Sequence, residues 1–102
     1  MKRYRVRFSS QAVLDFHASF EWGVENWGAE MATKWFAELE KHVRNLLSAM
    51  PKAFPTAREN SDFEIEVRQL VQGRYRILFT LKADEVLVLR LRGPFTSHSD
   101  MK

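Results

Sequence analysis

The 102-residue chain contains no cysteine, which excludes disulfides, thiolate metal sites and a cysteine nucleophile. Glycine and proline are scarce, with four and three copies. Gly23, Gly28, Gly73 and Gly93 are scattered, so no glycine-rich phosphate loop is present. No apolar run approaches the ~20 residues that span a bilayer, and no membrane partner is expected. Met1 to Phe8 alternates charge with apolar residues and lacks a hydrophobic block, so no signal peptide is expected either. His17, His42 and His98 show no metal-ligand spacing. No metal or other cofactor is expected, and the expected compartment is the cytoplasm.

What the chain does have is apolar surface. Hydrophobic residues make up 45% of it, with eight Phe, three Trp and two Tyr among them, enough to argue against disorder. A chain of this size buries about two-thirds of its unfolded surface, which predicts one domain over residues 1–102. The net charge of +3 is modest, but it is unevenly placed. Lys2, Arg3, Arg5 and Arg7 stand without an acid. Residues 10–50 carry Asp15, Glu21, Glu25, Glu30, Glu38 and Glu40 against Lys34, Lys41 and Arg44. Residues 64–92 hold six bases against Glu64, Glu66, Asp84 and Glu85. An acidic region lies between two basic ones, which predicts a basic working face.

The hydrophobic period changes where the charge changes. Tyr4, Val6 and Phe8 alternate with Arg3, Arg5 and Arg7, the pattern of a half-buried strand. Ser9 and Ser10 are candidate N-caps. Val13, Phe16, Phe20, Val24 and Trp27 then recur at helical spacing, and Gly28 can end that helix. A second helix is predicted from Ala29 to Ala49, with Ala32, Trp35, Phe36, Leu39, Val43, Leu46, Leu47 and Met50 as its stripe and Pro51 as its stop. Lys52 to Asp62 reads as a loop. Strands are predicted around Phe63, Ile65 and Val67, around Tyr75, Ile77, Phe79 and Leu81, and over Val86–Arg92, with turns at Gln72-Gly73 and Ala83-Asp84. Residues beyond Gly93-Pro94 read as a short polar tail with poor order. The order β-α-α-β-β-β predicts an α+β fold, with a helical hairpin packed on one face of a small antiparallel sheet.

Chemistry concentrates in arginine. Arg3, Arg5, Arg7, Arg68, Arg74, Arg76, Arg90 and Arg92 fall in the outward set of the strands, and neighbouring strands about 4.8 Å apart let such groups converge on one ligand. The guanidinium fork binds phosphate or carboxylate at two points and stays charged. Cross-strand pairing with Glu64 and Glu66 would occupy one or two of them. Trp27 and Trp35 read as core, and Trp22, off the main stripe, as partly exposed under a partner peptide. Tyr75 alternates into the core, which argues against a catalytic phenol. Ser97 and Ser99 form no nucleophile motif.

The element order resembles the RelE/ParE toxin superfamily, as do Leu46-Leu47-Ser48-Ala49-Met50-Pro51 and Val67-Arg68-Gln69-Leu70. So do Gly73-Arg74-Tyr75-Arg76-Ile77-Leu78-Phe79 and Glu85-Val86-Leu87-Val88-Leu89-Arg90-Leu91-Arg92. The resemblance covers nearly the whole chain to Arg92. It implies a bacterial type II toxin–antitoxin module in which an antitoxin wraps and neutralises the toxin. Members similar to RelE cleave messenger RNA on the ribosome with basic residues and a C-terminal tyrosine or histidine; members similar to ParE poison DNA gyrase and lack that set. Arg76 matches the nuclease arginine. Glu64 and Glu66 stand where those enzymes carry lysines, and acids there repel a phosphate's developing charge. No tyrosine follows Tyr75, and Gly93-Pro94 stands where more basic residues are expected. The resemblance therefore leans to a ParE-like, non-enzymatic gyrase inhibitor with no catalytic residues. Arg68, Arg74, Arg76, Arg90 and Arg92 are the expected target- or antitoxin-binding residues. The alternatives are a ribosome-dependent endoribonuclease using Arg76, Arg92 and His98, and a non-toxic remnant that still binds antitoxin.

Overall fold

A computed structural model describes residues 3–93; the predicted tail and His98 lie outside the described residues. The elements are β1 (Arg5–Phe8), α1 (Ser10–Trp27), α2 (Ala29–Ala49), two 3₁₀ turns (Pro51–Ala53 and Arg58–Asp62), β2 (Arg68–Gln72), β3 (Tyr75–Lys82) and β4 (Glu85–Arg92). This is the α+β order read from the sequence. Ser9 caps α1 as expected, its Oγ accepting from the Ala12 amide at 3.0 Å. The same hydroxyl donates to the Leu89 carbonyl at 2.9 Å, which ties the helix start to β4. Gly28, at φ +93°, turns the chain between the helices in a conformation open to glycine. Pro51 lacks the amide that α2 would need to continue.

The four strands run in the order β1-β4-β3-β2. β2, β3 and β4 form the antiparallel meander. β1 joins it parallel to β4, Val6 opposite Val86 and Phe8 opposite Val88, so the sheet is mixed. A parallel neighbour needs a long connection, and the α1–α2 hairpin is part of it. Extra length in β4 makes an irregularity opposite Leu78 and Phe79, between the Phe79–Val88 and Leu78–Arg90 pairs.

The main core lies between hairpin and sheet. Phe36, Leu39, Val43 and Leu47 of α2 meet Leu70, Tyr75, Ile77, Phe79, Val86, Val88 and Leu91. The α2 stripe is therefore the predicted one, except that Met50 is exposed. α1 differs. Its buried face is Ala12, Asp15, Ser19 and Gly23, while Phe16 and Phe20 are half-buried and Val13 is 54% exposed. The cause is close approach: a Cβ on Gly23 would lie 3.2 Å from Phe36 and Trp27 and 3.3 Å from Ala32. The small residues set the packing distance, and the large ones flank it. Trp27, read as core, is 40% exposed at the end of α1, its ring against Trp22, Trp35 and Phe36.

A second, smaller core sits on the sheet face turned away from the helices, where Ala57 and Val67 cover Leu78 with Phe63 and Leu89 beside them. Its cover is a loop, not the strand predicted around Phe63, Ile65 and Val67. Asn60 Oδ1 accepts from the Val67 amide at 2.7 Å, the Val67 carbonyl accepts from Ala57, and the Gln69 amide donates to Pro55 at 2.9 Å. The last two make an isolated antiparallel bridge between Thr56 and Arg68, the residues before Val67 are outside any strand, and Ile65 is left 48% exposed.

Candidate functional site

The arginines singled out by sequence do not form one open cluster. Arg76 projects from β3 between the inward-facing Tyr75 and Ile77, and Arg92 lies directly opposite it on β4. Like charges in that position repel, and an acid from the loop compensates. Glu59, in the Arg58–Asp62 turn, accepts Arg76 Nη1 at 3.0 Å on one oxygen and Nη2 on the other. Gln69 Oε1 also accepts from Nη1, at 2.8 Å. The Arg76 hydrogen bond holds the Glu59 carboxyl below its ordinary value against the opposing effect of burial, and the same bond raises the Arg76 guanidinium. The two-point contact is the geometry in which arginine holds carboxylate most firmly.

Arg90, two residues before Arg92 on β4, is engaged on the helix side of the sheet and not in the outward set predicted for it. Its Nε donates to Asp15 Oδ2 at 2.8 Å and its Nη2 to Oδ1 at 3.2 Å. Asp15 Oδ2 also accepts the Leu91 amide at 2.9 Å. β1 pairs with β4 only as far as Val88, and the Asp15 carboxylate serves the next part of that edge in place of a strand. Arg68 donates to the Phe54 and Lys52 carbonyls at 2.6 and 3.4 Å and lies 3.6 Å from Glu66, fastening the loop that follows α2. Arg92 is half-buried, and Arg74 is exposed in the two-residue β2–β3 turn.

On β1, Arg5 and Arg7 share Glu85 at 3.5 and 3.4 Å and remain 75% and 67% exposed along their side chains. Glu64 and Glu66 are exposed residues of the loop before β2, not of a strand. His17 lies 3.4 Å from Glu21 on the surface of α1, and His42 is exposed on α2. Tyr75 is buried against Trp35 and Phe36, and burial raises its phenol above the usual value. The residues that sequence reasoning missed are the two acids, Asp15 and Glu59. A polar residue one position from the large apolar stripe was the available signal for Asp15; Glu59, in a polar loop, carried none.

Between α1 and α2 a groove of about 360 Å³ is lined by Val13, Phe16, Phe20, Phe36 and Ala37, with His17, Thr33 and Glu40 completing it. The molecule thus combines an apolar groove on its helical side with arginines held by acids on its sheet.

This fold is shared with chains of bacterial toxin–antitoxin systems. It is similar to a chain of the chromosomal ParDE system from P. aeruginosa, at 20% identity over 89% of this chain and 96% of the other, with a TM-score of 0.74. It is also similar to a chain of the RelBE2 toxin–antitoxin complex from Mycobacterium tuberculosis, at 22% identity over 91% and 93% and a TM-score of 0.64. No curated protein sequence matches significantly. The family model for the ParE toxin of type II toxin–antitoxin systems, parDE, matches residues 6–93, and the chain belongs to that family.

Proposed function

We propose that this chain acts as a ParE-like toxin that inhibits DNA gyrase without catalysing a reaction, and that a cognate antitoxin neutralises it. The observation that carries the reading is the engagement of Arg76: its donor fork is filled by Glu59 and Gln69 instead of facing a scissile phosphate. A nuclease needs donors aimed at the charge that develops on phosphate, and here the matching arginine already has an anion.

The antitoxin reading is supported by the apolar groove of the hairpin and by Val71, 55% exposed on the edge strand β2. An amphipathic helix fits the first, and an extended segment fits the second. The test of the gyrase target is a supercoiling assay with purified chain. Inhibition relieved by the product of the adjacent reading frame is the expected result, and unaffected supercoiling at saturating toxin removes the gyrase target.

The register of Arg76 opposite Arg92 is the one observation that favours a ribosome-dependent endoribonuclease. Codon-positioned cuts in translating messenger RNA, lost in an Arg76→Ala, His98→Ala double variant, would support that second reading. A remnant that binds antitoxin without toxicity predicts normal growth on induction alone.

A further inference from the structure

All three tryptophans of the chain gather at the end of the hairpin, where α1 turns into α2. The Trp27 ring centre lies 5.4 Å from that of Trp22 and 5.7 Å from that of Trp35, and the ring stacks on Phe36 at 6.2 Å. On the inner side the cluster continues into the core, Trp35 lying 5.3 Å from Tyr75. On the outer side it stays open: Trp27 is 40% exposed, and Met31, in the first turn of α2, is 61% exposed. Large apolar side chains grouped at the surface mark an interaction site more often than a scattered single one does. The charge around them has one sign. Glu21, Glu25 and Glu30 are exposed, and no Lys or Arg stands between Phe20 and Thr33. His17 lies 3.4 Å from Glu21, whereas Glu25 and Glu30 have no ion-pair partner among the described residues. Glu30 suits the first turn of α2, where the helix dipole favours an acid. Glu25 does not suit its place, the last turn of α1, where the dipole favours a cation and no basic residue is present.

We propose that the tip of the hairpin docks a basic segment of a protein partner, with an arginine or lysine seated against Trp27 and an apolar neighbour over Met31. The acids choose the occupant. A nucleic acid or an anionic lipid surface is repelled by them, and a second copy docked tip to tip brings the same three acids to the contact. A cationic side chain answers both the acids and the end of the α1 dipole, and tryptophan is the ring whose face attracts a cation most strongly. The chain makes one such contact within itself, Arg44 lying 4.6 Å from the centre of the Phe8 ring. Arginine suits the site better than lysine, because its planar group stacks on a ring while its edge still donates to a carboxylate. The surface does not depend on gyrase being the target, and a supercoiling assay leaves it untested.

The test uses the full chain and a short peptide, arginine-leucine-arginine with blocked ends, titrated while the indole N–H signals are followed by NMR. A saturable shift at the Trp27 indole is expected. The same peptide with citrulline in place of arginine keeps the shape without the charge, and should bind about tenfold more weakly. Trp27→Leu keeps an apolar side chain and should weaken the arginine peptide about fivefold, read from the Trp22 indole. Glu25→Lys, at an exposed position, should weaken it at least as much. Equal binding of the two peptides overturns the cationic class, and an affinity unchanged in Trp27→Leu overturns the site. Self-association of the parent chain that Trp27→Leu abolishes would assign the tip to a second copy and overturn the proposal as well. Should Trp27→Leu not fold, Glu25→Lys decides, and an affinity for the arginine peptide equal to the parent's is then the overturning result.

Discussion

Replacing Asp15 by alanine should destabilise the chain more than any other single polar substitution on the helices. Asp15 is 7% exposed, and its carboxylate accepts three hydrogen bonds, two from Arg90 and one from the Leu91 amide. Removing it leaves the Leu91 amide, a buried donor on β4, without that acceptor, at about 2 kcal/mol. The Arg90 side chain is 32% exposed and can turn to water, so the ion pair adds only about 1 kcal/mol. The expected loss is about 3 kcal/mol, or roughly 12–24 °C in Tm for a domain this small. Asp15→Asn keeps an oxygen able to accept from the amide and should cost about 1 kcal/mol. Urea unfolding of Asp15→Ala, Arg90→Ala and the double variant separates the two contributions, with a coupling of about 1 kcal/mol expected between the side chains. A loss below about 1 kcal/mol for Asp15→Ala would refute the claim that this carboxylate completes the edge of β4.

Gly93→Ala places a Cβ 2.3 and 2.4 Å from two ring carbons of Tyr75, whose ring is backed by Trp35 and Phe36; a loss of about 1–3 kcal/mol in thermal unfolding is expected, and an unchanged Tm would contradict the close contact. Ala83 turns between β3 and β4 at φ +58°, where an L side chain costs about 1–2 kcal/mol and glycine's extra backbone entropy about 0.5–1 kcal/mol. Ala83→Gly should therefore raise the urea midpoint by the equivalent of up to about 1 kcal/mol, and a lowered midpoint would count against strain at this turn. The Glu59 carboxyl is depressed from its ordinary 4.5 by Arg76, so in acid the unfolded chain takes up that proton first. The contribution of Glu59 is complete above about pH 4.5 and is lost as pH falls through the depressed value. Parent and Glu59→Gln chains should differ more in stability at pH 7 than at pH 3, and a gap independent of pH would be inconsistent with the ion pair.

Much of the architecture was legible because it rests on local rules. The α2 stripe, the Ser9 cap, the Gly28 break and the two hairpin turns each follow from residues a few positions apart. The parallel pairing of β1 with β4 does not, since a period of two says which face is buried and nothing about which strand lies alongside. Phe63, Ile65 and Val67 alternate as a strand would, yet Asn60 takes the Val67 amide and the backbone follows a turn. The reading of α1 failed for a different reason. Its large apolar residues do not mark the buried face, because the tight approach to α2 at Gly23 puts Ala12, Asp15, Ser19 and Gly23 inside. Burial on a helix that packs this closely follows size as much as hydropathy.

The same distinction changes what the segregated charge means. An arginine in sequence counts as positive charge wherever it falls, but a folded arginine can be a connector between elements. Arg68 fastens the loop after α2, Arg76 holds the Glu59 turn, and Arg90 joins β4 to α1. On the hairpin, Arg44 pairs with Glu40 and also donates to the Val6 carbonyl at 3.3 Å while lying 4.6 Å from the Phe8 ring centre, which fastens α2 to β1. The acids that answer them come from the hairpin and the loop, so the contrast between acidic and basic segments is partly the signature of these joints. Basic character toward solvent is strongest elsewhere. Arg5, Arg7 and Lys82 all border the single carboxylate of Glu85, through two long ion pairs and one register partner, and one acid cannot neutralise three cations. The open positive charge thus lies at the β1 edge and at exposed Arg74, where water screens it and salt weakens it.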